Sequence, residues 1–174
     1  MKPVCIIPAR NGSKGIPNKN ITKILGTPLI GHVIRNVRNS KIFSHVIVST
    51  EDRTIAKIAK KYGAEVPFLR SKKLADDFTP DLDVLIDCIK KISSQATKYH
   101  FCLYPTTTLL FKKDLINSFK KIKKLTLIIW LQFQTMIFLH FVPSSSLEKT
   151  DIEFNSKKCL HVIIIQIKLL VDVQ

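Results

Sequence analysis

Acidic residues are scarce in this chain: 13 Asp and Glu stand against 28 Lys and Arg, a net charge of +15 over 174 residues. Large aromatic side chains are thin as well, with three Tyr and one Trp. The lysines are spread over the faces of expected helices, with few aromatics between them on which bases could stack, so a nucleic-acid module is not expected. No C-x-x-C pair occurs. The four cysteines (Cys5, Cys88, Cys102, Cys159) are scattered, which excludes a zinc ribbon or a disulfide framework and reads as buried thiols of a reducing compartment. His32, His45 and His100 show no ligand spacing and read as packing residues, and no residue is assigned to a metal. A secretory leader pattern is missing too, so the expected location is cytoplasmic. Repeats, Gly/Ser linkers and low-complexity tracts do not interrupt the first two thirds. The length suits one domain with a real core.

What is present is a strand that runs into a basic loop. Val4-Cys5-Ile6-Ile7 is a continuous apolar run, the pattern of a strand buried on both faces. Pro8-Ala9-Arg10-Asn11-Gly12-Ser13-Lys14-Gly15-Ile16-Pro17-Asn18-Lys19-Asn20 follows. Arg10, Lys14 and Lys19 bring three cations, while Ser13, Asn11, Asn18 and Asn20 add neutral donors. Gly12 and Gly15 are expected to turn with positive φ and carry backbone N–H groups close to an anion. Pro8 and Pro17 stiffen the two ends. This spacing is neither that of the P-loop nor the dinucleotide G-x-G-x-x-G. Its chemistry is that of a phosphate cradle, and a basic first half suits a nucleoside triphosphate or an acidic sugar.

Beyond the loop the patterns alternate. Helices are expected over Pro28–Asn39, Asp52–Tyr62, Asp81–Ser93 and Lys112–Lys123, and strands over His45–Ser49, Glu65–Leu69 and Tyr99–Leu103. This order implies a parallel sheet covered on both faces. Ligands of such sheets lie beyond the carboxyl ends of the strands. The Arg10 loop, the Thr50-Glu51-Asp52 turn, the Arg70 loop and the Pro105-Thr106 loop should therefore meet at one edge. Three plainer roles compete with binding chemistry: Asp52 as a helix cap, Arg70 as the ion-pair partner of Asp76 or Glu65, and most lysines as solvated surface. Asp76-Asp77 is not assigned as a metal pair, because adjacent side chains point apart.

Ile7-Pro8-Ala9-Arg10-x-Gly12-Ser13-Lys14-Gly15-Ile16-Pro17-x-Lys19-Asn20 resembles the signature loop of the CMP-sialic acid synthetases, the acylneuraminate cytidylyltransferases. Gly26-Thr27-Pro28-Leu29, Val46-Ile47-Val48-Ser49-Thr50-Glu51-Asp52 and Leu103-Tyr104-Pro105-Thr106-Thr107 continue the likeness over about residues 3–124. Pro67-Phe68-Leu69-Arg70, Asp76-Asp77-Phe78 and the Tyr before Pro105 lean toward its pseudaminic acid branch. The resemblance implies a Rossmann-like, three-layer α/β nucleotide-diphospho-sugar transferase fold with a mainly parallel sheet, incomplete at the C-terminus. It implies transfer of CMP from CTP to a nonulosonic acid, with pyrophosphate leaving, for surface glycan synthesis. It also implies Mg2+, whose ligands are not identifiable in this chain, and a homodimer built from segments beyond residue 124. Carried over residue by residue, Arg10 and Lys19 become the catalytic phosphate-facing cations. Ala9, Asn11, Gly12, Ser13, Lys14 and Asn20 cradle the nucleotide, Arg70 reads the cytosine, and Asp77 lies near the nucleoside. Tyr104 and Thr106 face the acceptor sugar.

The character changes after Lys124. Residues 1–124 read as the nucleotide-binding half of a cytidylyltransferase domain, and 125–174 as an aberrant apolar tail. Leu125–Val142 is apolar, but Gln132, Gln134 and His140 argue against a membrane span; Leu160–Val173 is a second apolar segment. The tail lacks the His-Asp-x-Gly-Gln type segment and the later acidic pair of the resembled family. Competing readings are a transferase for 3-deoxy-manno-octulosonate, an inactive nucleotide-binding remnant that folds poorly, and a membrane-attached module without catalysis. An out-of-frame tail is the hypothesis that accounts for the break. Plausible codons for Leu127–Phe138, read one base early, give Asp-Tyr-Leu-Val-Ala-Val-Ser-Asn-Tyr-Asp-Phe, a strand of the kind this family places there. Sequencing the gene across Lys123–Leu127 is expected to show the shift; an uninterrupted frame with no family-like alternative defeats the idea.

Overall fold

The computed structural model describes residues 2–13, 15–92, 97, 99–124 and 162–165. Strand β1 (Val4–Pro8) is buried at every position and lies at the centre. It pairs in parallel with β4 (His45–Ser49) on one side and with β5 (His100–Leu103) on the other, from Val4 against His45 to Pro8 against Ser49. A strand flanked on both edges and covered on both faces has no position for a polar side chain, which is why its sequence reads as an unbroken apolar run.

Helices supply the covers. α1 (Leu29–Ser40), α2 (Arg53–Lys61) and the start of α4 (Lys112–Lys124) pack on one face. There Ile30, Val33, Ile34, Ile55, Ala59 and Leu115 meet Cys5, Ile7, Val46, Val48 and Leu103. α3 (Asp81–Lys91) covers the other face, setting Leu85, Cys88 and Ile89 on Val4, Ile6, Ile47 and Cys102. The even and odd residues of β1 thus feed two separate cores, as a strand's alternation requires. Cys5, Cys88 and Cys102 are buried free thiols; burial raises all three, Cys88 to about 12, so they stay protonated and serve as packing groups. Cys159 lies outside the described residues.

Three elements depart from the sequence expectation. Glu65–Leu69 is not a strand: it makes a single parallel bridge, Ile47 to Glu65. Glu65 N–H donates to Val46 O and Val48 N–H to Glu65 O, and then Pro67, which has no N–H to give, interrupts the ladder. A small antiparallel hairpin, β2 (Lys23–Ile24) with β3 (Thr27–Pro28), precedes α1 and is too short to leave a period-2 signal. Val162–Ile165, within the apolar segment Leu160–Val173, forms β6, which pairs antiparallel with β5 from His100 against Ile165 to Leu103 against Val162. The sheet order is β4-β1-β5-β6. The other expectations for 125–174 lie outside the described residues. Among the described residues, no helix is long and apolar enough to cross a membrane.

The histidines divide. His100 is buried on β5, and burial holds its imidazole below the usual range, hence neutral. His45 and His32 are not core groups: His45 Nδ1 sits 2.9 Å from Glu65 Oε1, and His32 Nε2 sits 2.8 Å from Ile24 O.

The β2–β3 turn carries a local conflict. Its two central residues, Leu25 and Gly26, have φ of 49° and 77°, and Leu25 is 95% exposed. Two positive φ values are what the right-handed twist asks of a two-residue hairpin loop, and Asn-Gly meets that demand far better than Leu-Gly. Leu25→Asn is expected to raise stability by about 0.5–1 kcal/mol. Urea unfolding checks it: the midpoint should rise with the slope unchanged.

Candidate functional site

The loops that leave the carboxyl ends of β1 and β4 are bound to each other, and the register explains how. Pro8 stands opposite Ser49, so the two chains leave the sheet side by side, and Ala9 N–H donates to Ser49 O at 2.9 Å. Asn11 then meets the turn after β4 twice. Its N–H donates to Glu51 Oε1 at 2.7 Å, and its Nδ2 donates to Asp52 Oδ2 at 3.0 Å. The loop's far end returns to its start through Asn20, whose buried side chain donates from Nδ2 to Arg10 O at 2.7 Å.

Arg70 arrives from the segment beside β4. Its N–H donates to Thr50 O at 2.8 Å, and its Nη2 meets Glu51 Oε2 at 2.8 Å. The Arg70 side chain is 3% exposed and that of Glu51 15%, so this is a dry ion pair. Its partner is neither Asp76 nor Glu65, the two carboxylates nearest in sequence. Arg70 Nε and Ser49 Oγ are buried with no hydrogen-bond partner among the described residues. A buried donor without a partner carries a desolvation cost that an acceptor brought to it would relieve.

Arg10 faces the third loop. Its Nη1 lies 2.5 Å from Asp77 Oδ1 and donates to Asp76 O at 3.0 Å. Asp76 turns inward on its own loop and accepts the N–H groups of Phe78 and Thr79; the Thr79 bonds, ahead of that from Phe78, hold its carboxyl below the usual range. Asp52 caps α2, accepting the Ile55 N–H on Oδ1 at 2.8 Å. The capping role expected for it is what the geometry shows, with the Asn11 contact added.

The residues from the sequence pattern are therefore only partly brought together. Ala9, Arg10, Asn11, Asn20, Arg70 and Asp77 share one connected cluster with Glu51 and Asp52, whose turn the sequence brings to this edge without giving either a binding role. Gly12 and Ser13 continue the loop from Asn11, and half-buried Lys19 begins the short 3-10 turn that carries Asn20. Lys14 lies outside the described residues. Gly12 does not use the positive φ expected of it; Asn18 takes that conformation, at 53°. An added Cβ at Gly12 or Gly15 would meet nothing within 4 Å, so the space above both is open. Tyr104 and Thr106 follow β5. Tyr104 donates its O–H to Asp81 Oδ2 at 2.5 Å; burial first, and that carboxylate after it, push its phenol well above the usual range, so it remains a donor. Thr106 is exposed. A groove of about 530 Å³ between α2 and Val66–Leu69 has none of the cluster residues in its lining.

Among the described residues no three His, Cys, Asp or Glu side chains are grouped to hold a metal. The local chemistry agrees: Asp77 is on Arg10, Glu51 on Arg70, and Asp52 on a helix end.

A family model described as cytidylyltransferase matches residues 4–141, past Lys124 and through the whole cluster. The chain belongs to this cytidylyltransferase family. A pseudaminic acid cytidylyltransferase of Campylobacter jejuni is 46% identical over 123 residues, 70% of this chain and 53% of that protein. A CMP-N,N'-diacetyllegionaminic acid synthase of the same species is 48% identical over 86 residues, 49% of this chain and 37% of that one. The chain thus spans about half the length of the first of these relatives. Among solved structures, a CMP:2-keto-3-deoxy-manno-octonic acid synthetase complexed with CTP superposes with a TM-score of 0.64 at 21% identity, over 74% of this chain and 50% of that one. A cytidylyltransferase from Leptospira borgpetersenii gives 0.57 at 26% identity, over 75% and 53%. The fold is the Rossmann-like nucleotidyltransferase fold, and the cluster lies at the carboxyl edge of its parallel strands.

Asp52 does two jobs that separate by substitution. Asp52→Ala is expected to cost about 0.5–2 kcal/mol through loss of the cap, and Asp52→Asn to retain most of the stability, because Asn caps as well as Asp. Denaturant unfolding of the two variants checks this.

Proposed function

We propose that this chain carries the CTP-binding part of a cytidylyltransferase that transfers CMP to a nonulosonic acid, most closely of the pseudaminic type. The observation that carries the reading is the connected cluster of Arg10, Asn11, Asn20 and Arg70 at the carboxyl edge of the sheet, within the stretch matched by the family model. The names of the relatives support the acceptor class, pseudaminic or legionaminic acid.

In this reading a hydroxyl oxygen of the sugar acid attacks the α-phosphorus of CTP. The bond to the β,γ-diphosphate breaks, pyrophosphate leaves with the bridging oxygen and its electron pair, and the hydroxyl proton passes to solvent water. The protein's part in such a displacement is positioning and neutralisation of charge. Arg10 and Lys19 face the phosphates, and the backbone of Gly12 and Ser13, with Lys14 and the Asn20 amide, lines the cradle. Arg10 exchanges Asp77 for phosphate oxygen when nucleotide enters. Arg70, already neutralised by Glu51, offers its open Nε to the neutral acceptors of the cytosine ring. Asp77 stays close to the nucleoside, and Tyr104 and Thr106 turn to the acceptor. The described residues do not form a Mg2+ site, so no step is assigned to the ion. A cytoplasmic location and a homodimer belong to the same proposal, as does a product destined for surface glycan.

Calorimetry of the purified chain with CTP tests the reading. CTP is expected to bind at least tenfold more tightly than ATP, and Arg10→Ala to weaken CTP by tenfold or more. Equal affinity for the two nucleotides, or binding indifferent to Arg10, would overturn it.

A further inference from the structure

Glu51 is the point where two loops with different tasks are joined. Its Oε1 accepts the Asn11 N–H at 2.7 Å, forty residues back in the chain, and its Oε2 meets Arg70 Nη2 at 2.8 Å, nineteen residues ahead. The backbone around it is itself pinned. Thr50 is fully buried, its carbonyl accepts the Arg70 N–H at 2.8 Å, and its hydroxyl accepts the Asp52 N–H at 3.1 Å. The carboxylate therefore projects from a fixed turn.

We propose that Glu51 is a positioning residue: one carboxylate sets the conformation of the Arg10–Asn20 loop and the direction of the Arg70 guanidinium together. The physical grounds are burial and count. A guanidinium 3% exposed needs a counter-charge within hydrogen-bond reach, and Glu51 supplies it. A carboxylate has two oxygens; here each holds a different segment, so neither bond can be lost without loosening the other group's partner. With Nη2 committed to Glu51 and the side chain buried, the planar fork is restrained, and its unpartnered Nε is held in one direction. The pair's charges cancel locally. Arg70 then acts as an oriented donor toward a neutral acceptor, and the free cationic charge for phosphate stays with the loop.

Amide hydrogen exchange on the full chain without nucleotide, comparing wild type with Glu51→Gln and Glu51→Ala, tests the structural part. Exchange of the Asn11 amide is expected to accelerate about tenfold or more in both variants while amides of β1 and α3 stay within twofold. Glu51→Gln keeps the shape of the side chain and guards against a failure to fold. An unchanged Asn11 amide in a folded variant overturns the proposal. The functional part rests on the CTP reading, and titration of CTP and ATP tests it. Glu51→Gln is expected to lower the CTP:ATP affinity ratio about tenfold, whereas a variant merely less stable would weaken both alike and leave the ratio unchanged. An unchanged ratio overturns the orienting role. If wild type binds no CTP, the nucleotide reading falls and the exchange result alone decides whether Glu51 couples the loops.

Discussion

The parallel pairing of β1 between β4 and β5 is the constraint from which the site follows. Because β1 is buried on both faces and both edges, no residue within it can carry chemistry. Polar function begins where pairing stops, at Ala9 and Thr50, which leave the sheet side by side because Pro8 faces Ser49. A register slip of one residue would turn every β1 side chain to the opposite core and would bring different backbone groups to the edge. The two apolar clusters on either face of β1 therefore fix which loop residues can meet.

Much of this was legible in the residues themselves. An apolar run of strand length, helical spacing at Leu29, Ile30, Val33, Ile34 and Val37, and Asp52 before the α2 pattern each reflect local physics that the fold does not override. The features that escaped depend on distant partners. Glu65–Leu69 has strand-forming residues, but strand identity requires a ladder, and Pro67 ends that ladder after one bridge. The Arg70 counter-ion could not be found by proximity in sequence, since Asp76 and Glu65 are nearer in the chain than Glu51. β6 belongs to a segment whose residues announce apolarity and nothing about register; pairing along the β5 edge is a tertiary fact. The positive φ expected at Gly12 falls on Asn18, a residue type that tolerates that backbone region.

Electrostatics explain why, in so basic a chain, the two arginines of the cluster are each paired. Arg10 lies on Asp77 and Arg70 on Glu51, so two of the few acidic residues neutralise the two arginines of the cluster. The two pairs differ in kind. Arg10 and Asp77 have side chains 33% and 28% exposed, so water can replace either partner at modest cost; Arg70 is nearly dry. An entering polyanion can take Arg10 from Asp77, because the aspartate returns to solvent. It cannot readily take Arg70 from Glu51, since that would strand a buried carboxylate.

This asymmetry divides the work by burial and not by residue type. Two arginines with the same guanidinium are an exposed, exchangeable pair in one case and a dry, fixed one in the other, which under the proposed function makes Arg10 a phosphate ligand and Arg70 a fixed donor. The fixed one lies deepest, where low dielectric strengthens a directional hydrogen bond to a neutral ring and penalises any acceptor set in the wrong place. The exchangeable one lies nearer solvent, where the proposed reaction would release its diphosphate. Under the proposed function, a site that holds a base tightly and lets pyrophosphate go needs both environments within one cluster, and the turn after β4, with Glu51 bound to Arg70 and Asp52 capping α2, lies between them.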